Sequence, residues 1–414
     1  MIPPITRPKR KNPVLRTRQP LHPPAIRSRA ALGLTAAAAR GAFELQVCAA
    51  CGAVQYPPRE ACHRCLDGKL RWSAQSGLGE LLATTTVRHS QEVYFQERVP
   101  WRLALVKLDA GPTVVAHLHA GCPPAPGRVR VGARLDRAGQ GVLIAFPMDE
   151  VPNMADDKQL REMTCDPKFR KVLVTDGKTA TGQAVVKALA AAGADLIWVG
   201  HAEPWKQAPG FAELAKIPAV SLLPLDVTGS QSVKETAAEI GGKVYILVNT
   251  AEFHRAHGIA SRSGVETARA EMDVNYFGLL RLAQEFAPAM RARAADGQSS
   301  ATAWVNLLSI YALSSLPSHG TFSASKAAAL SLSQTLRAEM RASGVRVINL
   351  FPGPVDDEWN QTLPAPKLGP DALARAVVSA LKDGVEDVYP GDVAQEWFAR
   401  WREDPKVLEK ELTA

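Results

Sequence analysis

The pattern of apolar and polar positions changes twice along the chain. Between residues 77 and 147, short apolar runs alternate with turn residues, and these runs read LLATTTV, LALVKL, TVVAHL, VRVGARL and VLIAF. They are rich in Val, Leu and Thr, which favour strands over helices. Five short strands at this spacing predict a small closed β-barrel.

A different pattern begins at Lys168. Residues 171–200 read as an apolar strand, a turn containing glycine, an alanine-rich helix and a second apolar strand. Further apolar runs follow at SLLPLDV, KVYILVN, AWVNLLS and RVINLFP, with helical stretches between them. Strands that alternate with helices predict an α/β Rossmann fold, a doubly wound parallel sheet. The polar segment 148–167 between the two patterns is expected to be a linker.

The positive charge of the chain is confined to its beginning. Residues 1–40 hold nine Lys and Arg and no Asp or Glu, whereas residues 41–414 hold 40 basic and 41 acidic side chains. Seven prolines and no aromatic residue lie in the first 28 residues, which are expected to form a disordered basic tail. A short helix is expected over 29–41. An organelle transit peptide is the alternative interpretation of this basic segment.

Two classes of function are disfavoured. No window of 18 consecutive apolar residues is present, so we expect no membrane association through a spanning helix. Single-strand nucleic-acid binding needs a basic groove with aromatic stacking platforms, and the barrel region offers only Tyr94, Phe95, Trp101 and Phe146. We therefore expect no nucleic-acid partner. The alternative, a regulator that binds nucleic acid through its tail, predicts binding that weakens steeply with salt.

Four cysteines form two CxxC pairs separated by ten residues. They are Cys48, Cys51, Cys62 and Cys65. Two such turns close a tetrahedral site of four sulfurs for a structural zinc ion, with no open position for water. Two disulfides are the alternative, but Cys122 and Cys165 stand alone and nothing else indicates secretion. A reduced, cytoplasmic protein is expected, with His63 as a surface residue rather than a ligand.

This cysteine region resembles a known family. The run LQVCAACGAVQYPPREACHRC, followed by WRLALVKLDAGPTVVAHL and VGARL, is similar to the zinc-ribbon plus OB-fold proteins associated with acyl-CoA enzymes. The resemblance covers about residues 30–147. It implies a helix and zinc ribbon over 29–76 and an OB-fold barrel over 77–147. It also implies a non-catalytic subunit beside a thiolase or thiolase-like aldolase, acting on an acyl-CoA substrate.

The second half resembles the short-chain dehydrogenases/reductases over about residues 168–391. Its landmarks occur in order: a βα turn at 175–182, Leu225-Asp226-Val227, LVNTA at 247–251, Asn275, Ser309, FSASKAAAL and PGPV. In that family a Ser, a Tyr thirteen residues later and a Lys four residues further perform catalysis, and an Asn holds a relay water. Ser309, Lys326 and Asn275 match, but the Tyr position is Phe322. The general-acid contribution of roughly 10²–10⁴ in rate is therefore lost, unless Tyr311 substitutes.

The expected dinucleotide site is degraded as well. The family turn reads TGxxxGxG, and its glycines let the backbone approach the pyrophosphate. The positions that correspond to this cofactor site are Thr175, Asp176, Gly177, Ala180, Gly182, Asp226 and Asn249. Asp176 and Ala180 replace two glycines, which argues against bound NAD(H) or NADP(H). Asp176 is alternatively a helix cap.

Further departures lie at positions that contact the cofactor in the family. Gly200 and His201 stand where an acidic or basic residue reads the ribose. Glu252 replaces the glycine of the NNAG motif, and Asp357 replaces a threonine near the nicotinamide amide. The fold signature is retained while the ligand-contacting positions have changed, which predicts a scaffold without dehydrogenase activity.

Two surfaces are expected to pack or pair. The family associates through two long helices, here about 264–294 and 321–342. The C-terminal helix over 392–414 carries one apolar stripe of Val393, Trp397, Phe398 and Trp401, for which both core packing and an interface are open.

Together these features predict an accessory subunit of acyl-CoA degradation. Its ribbon and barrel are expected to dock on a thiolase-like enzyme, and its second domain to pair with an active short-chain dehydrogenase in a homo- or hetero-oligomer. The alternative is an atypical NAD(P)-dependent oxidoreductase that acts on a hydroxyacyl- or oxoacyl-CoA.

Overall fold

The computed structural model describes residues 2–7, 22–203, 205–206, 208–293 and 301–412. The chain forms two compact units, one built mainly on residues 22–166 and the other mainly on residues 167–412. Among the described residues, no helix has the length and apolar character needed to cross a membrane.

The first unit begins with a small three-stranded sheet. A 3₁₀ turn (Arg29–Ala31) and α1 (Leu32–Ala39) precede β1 (Glu44–Cys48), β2 (Val54–Gln55) and β3 (Leu70–Ala74). The order is β2-β1-β3 with antiparallel pairs. A sheet this small buries little apolar surface, so a cross-link must hold its two turns together.

Five strands close a barrel, as the apolar pattern predicted. They are β4 (Leu78–Val87), β5 (Trp101–Leu108), β6 (Thr113–Leu118), β7 (Gly127–Leu135) and β8 (Gly141–Pro147), with α2 (Val93–Gln96) between the first two. The order is β4-β5-β6-β8-β7, and a parallel pairing of β6 with β8 contributes to closure. Alternate side chains such as Leu81, Val106 and Leu118 fill the interior.

The expected linker 148–167 is packed on the barrel, which differs from the sequence-based prediction. It forms a 3₁₀ turn (Met154–Asp156) and α3 (Lys158–Arg161). The Gln159 side chain accepts from the backbone N–H of Arg102 at 2.7 Å and donates to the Arg102 carbonyl at 3.0 Å, as a neighbouring strand would. Leu160 and Met163 join Trp101 in a small apolar cluster. A few well-placed side chains therefore anchor a segment whose composition is polar.

The tail predicted over 1–28 falls largely on residues 8–21, which lie outside the described residues. At its described ends the chain makes defined contacts that differ from the expected disorder. Ile2 is buried, its carbonyl accepts from Asn153 Nδ2 at 3.1 Å, and the Ile5 N–H donates to Asp156 at 3.2 Å. Arg27 lies 3.7 Å from Asp136.

The second unit is a seven-stranded parallel sheet. The strands are β9 (Lys171–Val174), β10 (Leu196–His201), β11 (Val220–Pro224), β12 (Ile246–Asn249), β13 (Ala303–Leu307), β14 (Arg346–Leu350) and β15 (Asp387–Val388). Their order is β11-β10-β9-β12-β13-β14-β15, which confirms the doubly wound Rossmann prediction. The order reverses between β9 and β12, and ligands of such sheets bind outside the carboxyl ends of the strands at this point.

Helices connect the strands of this sheet. They are α4 (Ala180–Ala191), α5 (Phe211–Leu214), α6 (Ser230–Ile240), α7 (Glu266–Met272), α8 (Leu279–Ala292), α9 (Gly320–Arg341), α10 (Pro370–Asp383), α11 (Asp392–Glu403) and α12 (Pro405–Glu411). A π-helical stretch (Asp273–Gly278) joins α7 to α8 into one long helix.

The apolar stripe of α11 packs against the core of this unit. Phe398 stacks on Tyr389 with ring centroids 3.6 Å apart, and Tyr389 stacks on Phe351 at 5.1 Å. Trp397 lies 5.4 Å from Tyr311. Core packing therefore accounts for Trp397 and Phe398.

Candidate functional site

The four predicted cysteines come together at the two turns of the small sheet. Their sulfur atoms all lie within 4.8 Å of one another. Cys48 Sγ is 3.6 Å from Cys65 Sγ, and Cys51 Sγ is 3.7 Å from Cys62 Sγ. In a tetrahedral zinc site with zinc–sulfur bonds of about 2.3 Å, sulfurs are separated by about 3.8 Å. The residues present therefore fit a structural zinc ion.

The backbone of the second turn prepares the Cys62 sulfur for a metal. N–H groups of Cys65 and Arg64 point at the sulfur of Cys62 and lower the pKa of that thiol to about 6. A lower pKa favours the thiolate, which is the form that binds zinc. His63 is exposed and contacts Gln55 instead, with 3.2 Å between His63 Nδ1 and Gln55 Oε1.

The βα turn after β9 is held by its own side chains. Thr175 Oγ1 donates to Asn249 Oδ1 at 2.9 Å and accepts from the N–H of Thr250 at 3.0 Å. Thr250 Oγ1 accepts from the N–H of Asp176 and donates to the Asp176 carbonyl. The turn is thus tied to the end of β12 without a ligand.

Asp176 does not cap α4. Its carboxylate accepts from the N–H of Lys178 at 2.8 Å, and the cap of α4 is Thr179, which accepts from the N–H of Gly182 at 3.0 Å. Ala180 is the exposed first residue of the helix. Burial raises the pKa of Asp176, partly offset by the Lys178 N–H and charge. Asp176 places an acidic oxygen where a phosphate group would need donors.

The two glycines of this turn allow neighbouring atoms to pack closely against the backbone. A Cβ at Gly177 would lie 2.1 Å from Val199, and a Cβ at Gly182 would lie 2.1 Å from the Asp176 carbonyl oxygen. Beyond the turn, Lys178 Nζ donates to the carbonyls of Ala202 and Glu203 after β10. Asp226 accepts from the N–H and hydroxyl of Thr228 at 2.9 and 2.7 Å.

The residues at the dehydrogenase positions meet beside β13. Phe322 and Lys326 lie one turn apart on α9, and Lys326 Nζ is 5.4 Å from the centre of the Phe322 ring. Lys326 Nζ donates to the carbonyl of Leu307 at 3.0 Å, two residues before Ser309. Ser309 is buried and its Oγ accepts from the N–H of Tyr311 at 3.2 Å.

Asn275 lies in the π-helical stretch and is fully engaged. Its side-chain nitrogen donates to the Phe253 carbonyl at 2.8 Å and to Ser325 Oγ at 2.9 Å, while its oxygen accepts from the N–H of Phe253 at 3.1 Å. This amide holds the loop after β12 against α9.

Glu252 forms an ion pair with Lys326. Glu252 Oε2 lies 2.7 Å from Lys326 Nζ, and the Lys326 side chain is only 2% exposed. Burial acts to raise the pKa of Glu252, but the Lys326 charge and a contact with His254 overcome it and lower that pKa to about 2. Nearby, Asp357 accepts from the N–H groups of Trp359 and Asn360, and burial beside Glu252 raises its pKa.

Sequence reasoning identified Glu252 as a departure but missed its pairing with Lys326. It also missed a group of rings around Phe322. The His254 ring lies 4.5 Å from the Phe322 ring and 5.5 Å from the His319 ring, and Tyr311 lies 5.6 Å from His319. No local motif marks these contacts, because they join the loop after β12 to the segment before α9.

Tyr311 is a poor replacement for the missing tyrosine. Its ring centre is 6.4 Å from that of Phe322, and burial raises the pKa of its hydroxyl. With Lys326 held by Glu252, no lysine among the described residues of the cleft is free to lower a phenol pKa. The residues at the dinucleotide positions therefore do not fit a nicotinamide cofactor at the turn or at the lysine.

Family models match both halves of the chain. The model described as ChsH2, rubredoxin-like zinc ribbon domain, matches residues 35–71, and that described as ChsH2, C-terminal OB-fold domain, matches residues 72–140. The short chain dehydrogenase model matches residues 170–367.

Curated relatives and a solved structure match between half and about three fifths of the chain. An uncharacterized oxidoreductase of Staphylococcus saprophyticus is 30% identical over 225 residues, covering 51% of this chain and 90% of that protein. An uncharacterized oxidoreductase of Staphylococcus aureus USA300 is 29% identical over 216 residues, covering 50% and 89%. The crystal structure of a short chain dehydrogenase from Burkholderia cenocepacia in complex with NADP is 32% identical, with a TM-score of 0.54, covering 61% of this chain and 100% of that one.

Its second unit places the chain in the short-chain dehydrogenase family, as an oxidoreductase-type domain fused to a ChsH2-type zinc ribbon and OB-fold.

Proposed function

We propose that this protein is a non-catalytic accessory subunit in the degradation of acyl-CoA thioesters. Its ribbon and barrel dock on a thiolase-like enzyme, and its dehydrogenase-like domain pairs with an active hydroxyacyl-CoA dehydrogenase. Fusion of the two keeps both partners at a high effective concentration.

One observation carries the non-catalytic part of the proposal. The lysine that would serve catalysis is bound to Glu252 at 2.7 Å, and the residue beside it, Phe322, has no ionisable proton. Hydride transfer to a carbonyl requires a proton donor in the transition state. The tyrosine donor is absent at its family position, and the matching lysine is held in an ion pair.

Exposed apolar side chains support docking by the first unit. Leu105 on β5 is paired with Ala83 on β4 and Val115 on β6, and Leu105 and Val115 are 39% and 57% exposed. Leu82, at the bulge of β4, is 45% exposed. Apolar side chains contiguous across three strands are typical of a protein interface.

A groove on α7 supports pairing by the second unit. It has a volume of about 580 Å³ and is lined by Val265 before α7, by residues of α7 and by the π-helical stretch. Arg269 and Asp273 are charged members of this lining, and Val265 and Phe277 are 52% and 43% exposed. This helix is one of the two that the family uses for association.

The first experiment is a calorimetric titration of the zinc-loaded full chain with NADH and NADPH. We expect no binding at millimolar cofactor, because Asp176 and Glu252 occupy the positions that must accept it. A triple variant, Asp176→Gly with Ala180→Gly and Glu252→Gly, is expected to gain binding. Micromolar binding by the unmodified chain, with oxidation of 3-hydroxyacyl-CoA, contradicts the proposal.

The second experiment tests docking with a purified thiolase-like enzyme in sedimentation. We expect a complex that Leu105→Asp or Val115→Asp weakens at least tenfold, while Phe277→Asp leaves it unchanged. Phe277→Asp is expected to weaken the complex with a hydroxyacyl-CoA dehydrogenase instead. Equal effects of all three changes on both complexes contradict the assigned surfaces.

The oxidoreductase names of the relatives and the NADP complex of the 32% identical structure favour one other candidate. This is an atypical NAD(P)-dependent oxidoreductase that uses Ser309 and Lys326. It predicts turnover that Lys326→Ala abolishes, whereas the accessory role predicts no turnover to abolish.

A further inference from the structure

Two glutamines are buried in the small sheet that carries the cysteine turns. Gln46 lies on β1 and Gln55 on β2, and the strand register places them opposite each other. They are 5% and 3% exposed, although glutamine is mostly a surface residue. Gln55 Nε2 donates to Gln46 Oε1 at 3.0 Å. Burying an amide is costly unless its hydrogen bonds are made, so the partners of this pair indicate what it does.

The two cysteine turns differ in how the strands hold them. Cys48 is the last residue of β1, and its N–H donates to the Ala53 carbonyl at 3.0 Å, which closes the first turn within the hairpin of β1 and β2. Cys62 and Cys65 lie instead in the connection 56–69 between β2 and β3. The strands therefore fix the first turn directly, whereas the second turn depends on other contacts for its position.

The glutamine side chains supply such contacts. Gln46 Oε1 accepts from the Arg59 N–H at 2.8 Å, and Gln46 Nε2 donates to the Arg59 carbonyl at 3.0 Å. Gln55 Oε1 accepts from the His63 N–H at 3.0 Å, and Gln55 Nε2 lies 3.4 Å from the Ala61 carbonyl. A backbone N–H needs an acceptor, which in an amide side chain is the oxygen, so these bonds fix the orientation of both side chains.

We propose that Gln46 and Gln55 are positioning residues of the metal site, which hold Cys62 and Cys65 in place for the ion. Gln55 contacts the residues directly before and after Cys62, and Gln46 holds the chain three residues before it. A ligand that is already in place loses less conformational entropy when the ion binds. Residues that orient metal ligands typically contribute roughly 10–100-fold to metal affinity.

Filling of the sheet alone does not account for this residue type. An apolar side chain of the same length would be buried at a lower desolvation cost. An amide carries a donor and an acceptor at one end, which lets Gln46 bond both backbone groups of Arg59 as a neighbouring strand would. The inference concerns the metal site, and it does not depend on the accessory role or on a nicotinamide cofactor.

The first test measures the zinc affinity of the full chain by competition with a chromophoric chelator. Gln46→Met and Gln55→Met keep the length of the side chain and remove its amide, and each is expected to raise the Kd for zinc about tenfold. Gln75→Met is the matched control, because the Gln75 side chain bonds only two residues away, to the Ser73 carbonyl, and it should leave the Kd unchanged. At saturation with Co²⁺, the absorption spectrum of each variant should be that of a tetrahedral four-sulfur site, which verifies that all four ligands still bind.

Cysteine alkylation followed by mass spectrometry separates positioning from a general loss of stability. Each turn has one buried and one exposed cysteine, so Cys62 is compared with Cys48, and Cys65 with Cys51. In the zinc-loaded glutamine variants, alkylation of Cys62 and Cys65 should accelerate more than that of their counterparts. Leu45→Ala removes a buried side chain from β1 and should accelerate all four alike.

Three results overturn the assignment: a zinc affinity that neither glutamine change alters, an equal loss of affinity in Gln75→Met, or equal acceleration of all four cysteines in both glutamine variants. Thermal unfolding verifies that each variant folds, and if one of the two does not, the other decides. Because the probe is the metal alone, failure here leaves the outcomes of the cofactor titration and the docking experiment unaffected.

Discussion

The cysteine site and the dehydrogenase-like cleft differ in how many of their expected functional residues are present. In the ribbon, the four cysteines stand at their metal-binding spacing and their sulfurs lie within 4.8 Å of one another. In the cleft, the parallel sheet order and Lys326 match the short-chain dehydrogenase pattern, but Phe322 and Glu252 stand where that pattern has a tyrosine and a glycine. The ribbon keeps a complete set of metal ligands, whereas we propose that the cleft has no catalytic role.

The difference follows from what holds each region together. The ribbon sheet has strands of two to five residues and little apolar core. Its fold therefore depends on the four metal ligands. The Rossmann unit has a large core of its own, in which Trp304 and Phe286 are fully buried and to which the cleft residues Tyr311 and Phe322 also belong. A change in the cleft therefore removes only a part of this large core, whereas a change to a cysteine removes the cross-link of the ribbon.

Zinc removal is expected to have the largest effect. Chelation, or Cys62→Ser, should unfold the ribbon, because structural zinc sites contribute on the order of 10 kcal/mol to folding. Hydrogen exchange followed by mass spectrometry should show β1 and β3 exchanging freely while β9 and β12 stay protected. The control is Cys122→Ser, outside the cluster. Protection of β1 in the chelated chain would show that the ribbon has another source of stability.

Glu252→Gln is expected to have the next largest effect. It leaves the 2%-exposed Lys326 ammonium without a countercharge, and because the Glu252 side chain is 30% exposed, the expected cost lies below the roughly 3–5 kcal/mol of a fully buried pair. Urea unfolding of the second unit measures this loss. The matched control is Glu213→Gln, which breaks an exposed pair with Lys216 at 2.8 Å and should cost less than about 0.5 kcal/mol. Equal costs would mean that Lys326 is well solvated and free for other contacts.

The same pair predicts how stability depends on pH. The pKa of Glu252 is about 2 in the folded chain, against an ordinary value of 4.5, so the folded state binds this proton more weakly than the unfolded state. Its contribution is complete above about pH 4.5 and is lost as the pH falls towards 2. Hydrogen exchange of β12 and β13 should show a steeper loss between about pH 5 and 3 in the unmodified chain than in Glu252→Gln. Parallel curves would contradict the pairing.

The sequence predicts the metal ligands of the ribbon more completely than the contacts of the cleft. The CxxC spacing identified all four metal ligands, because each pair lies on one tight turn. Strand alternation and the βαβ pattern predicted the barrel and the sheet, and the four-residue spacing placed Phe322 and Lys326 on one face of a helix. These are local or periodic signals.

The features that the sequence did not predict depend on contacts between segments that are distant along the chain. Glu252 and Lys326 are 74 positions apart, and His254 meets His319 across a similar gap. The polar segment 148–167 packs because Gln159 finds the backbone of Arg102. No periodic pattern in the sequence encodes these tertiary contacts, since they form only when the sheet and the barrel have folded.

The two cysteine turns of the ribbon differ in the residue that follows the second cysteine, and changing it is expected to have the smallest effect on stability. The residue after the second cysteine of each turn adopts the left-handed conformation: Gly52 at φ 71° and Leu66 at φ 64°. This conformation costs a branched residue roughly 1–2 kcal/mol, and the Leu66 side chain is 79% exposed, so no burial offsets the cost. The turn imposes this conformation, since the Leu66 N–H donates to the Cys62 carbonyl at 3.0 Å as the Gly52 N–H does to the Cys48 carbonyl at 2.9 Å. We propose that the exposed Leu66 side chain contacts the docking partner.

Leu66→Gly is therefore expected to leave stability unchanged or raise it by up to about 1 kcal/mol, because glycine adopts this conformation freely. The reciprocal control is Gly52→Ala: its added Cβ would meet no atom within 4 Å, so the expected loss of about 1 kcal/mol comes from the backbone alone. Thermal unfolding of the zinc-loaded chain measures both. Sedimentation with a thiolase-like enzyme should show weaker binding for Leu66→Gly despite its undiminished stability. A variant that binds as well as the unmodified chain would restrict docking to the barrel wall of Leu82, Leu105 and Val115.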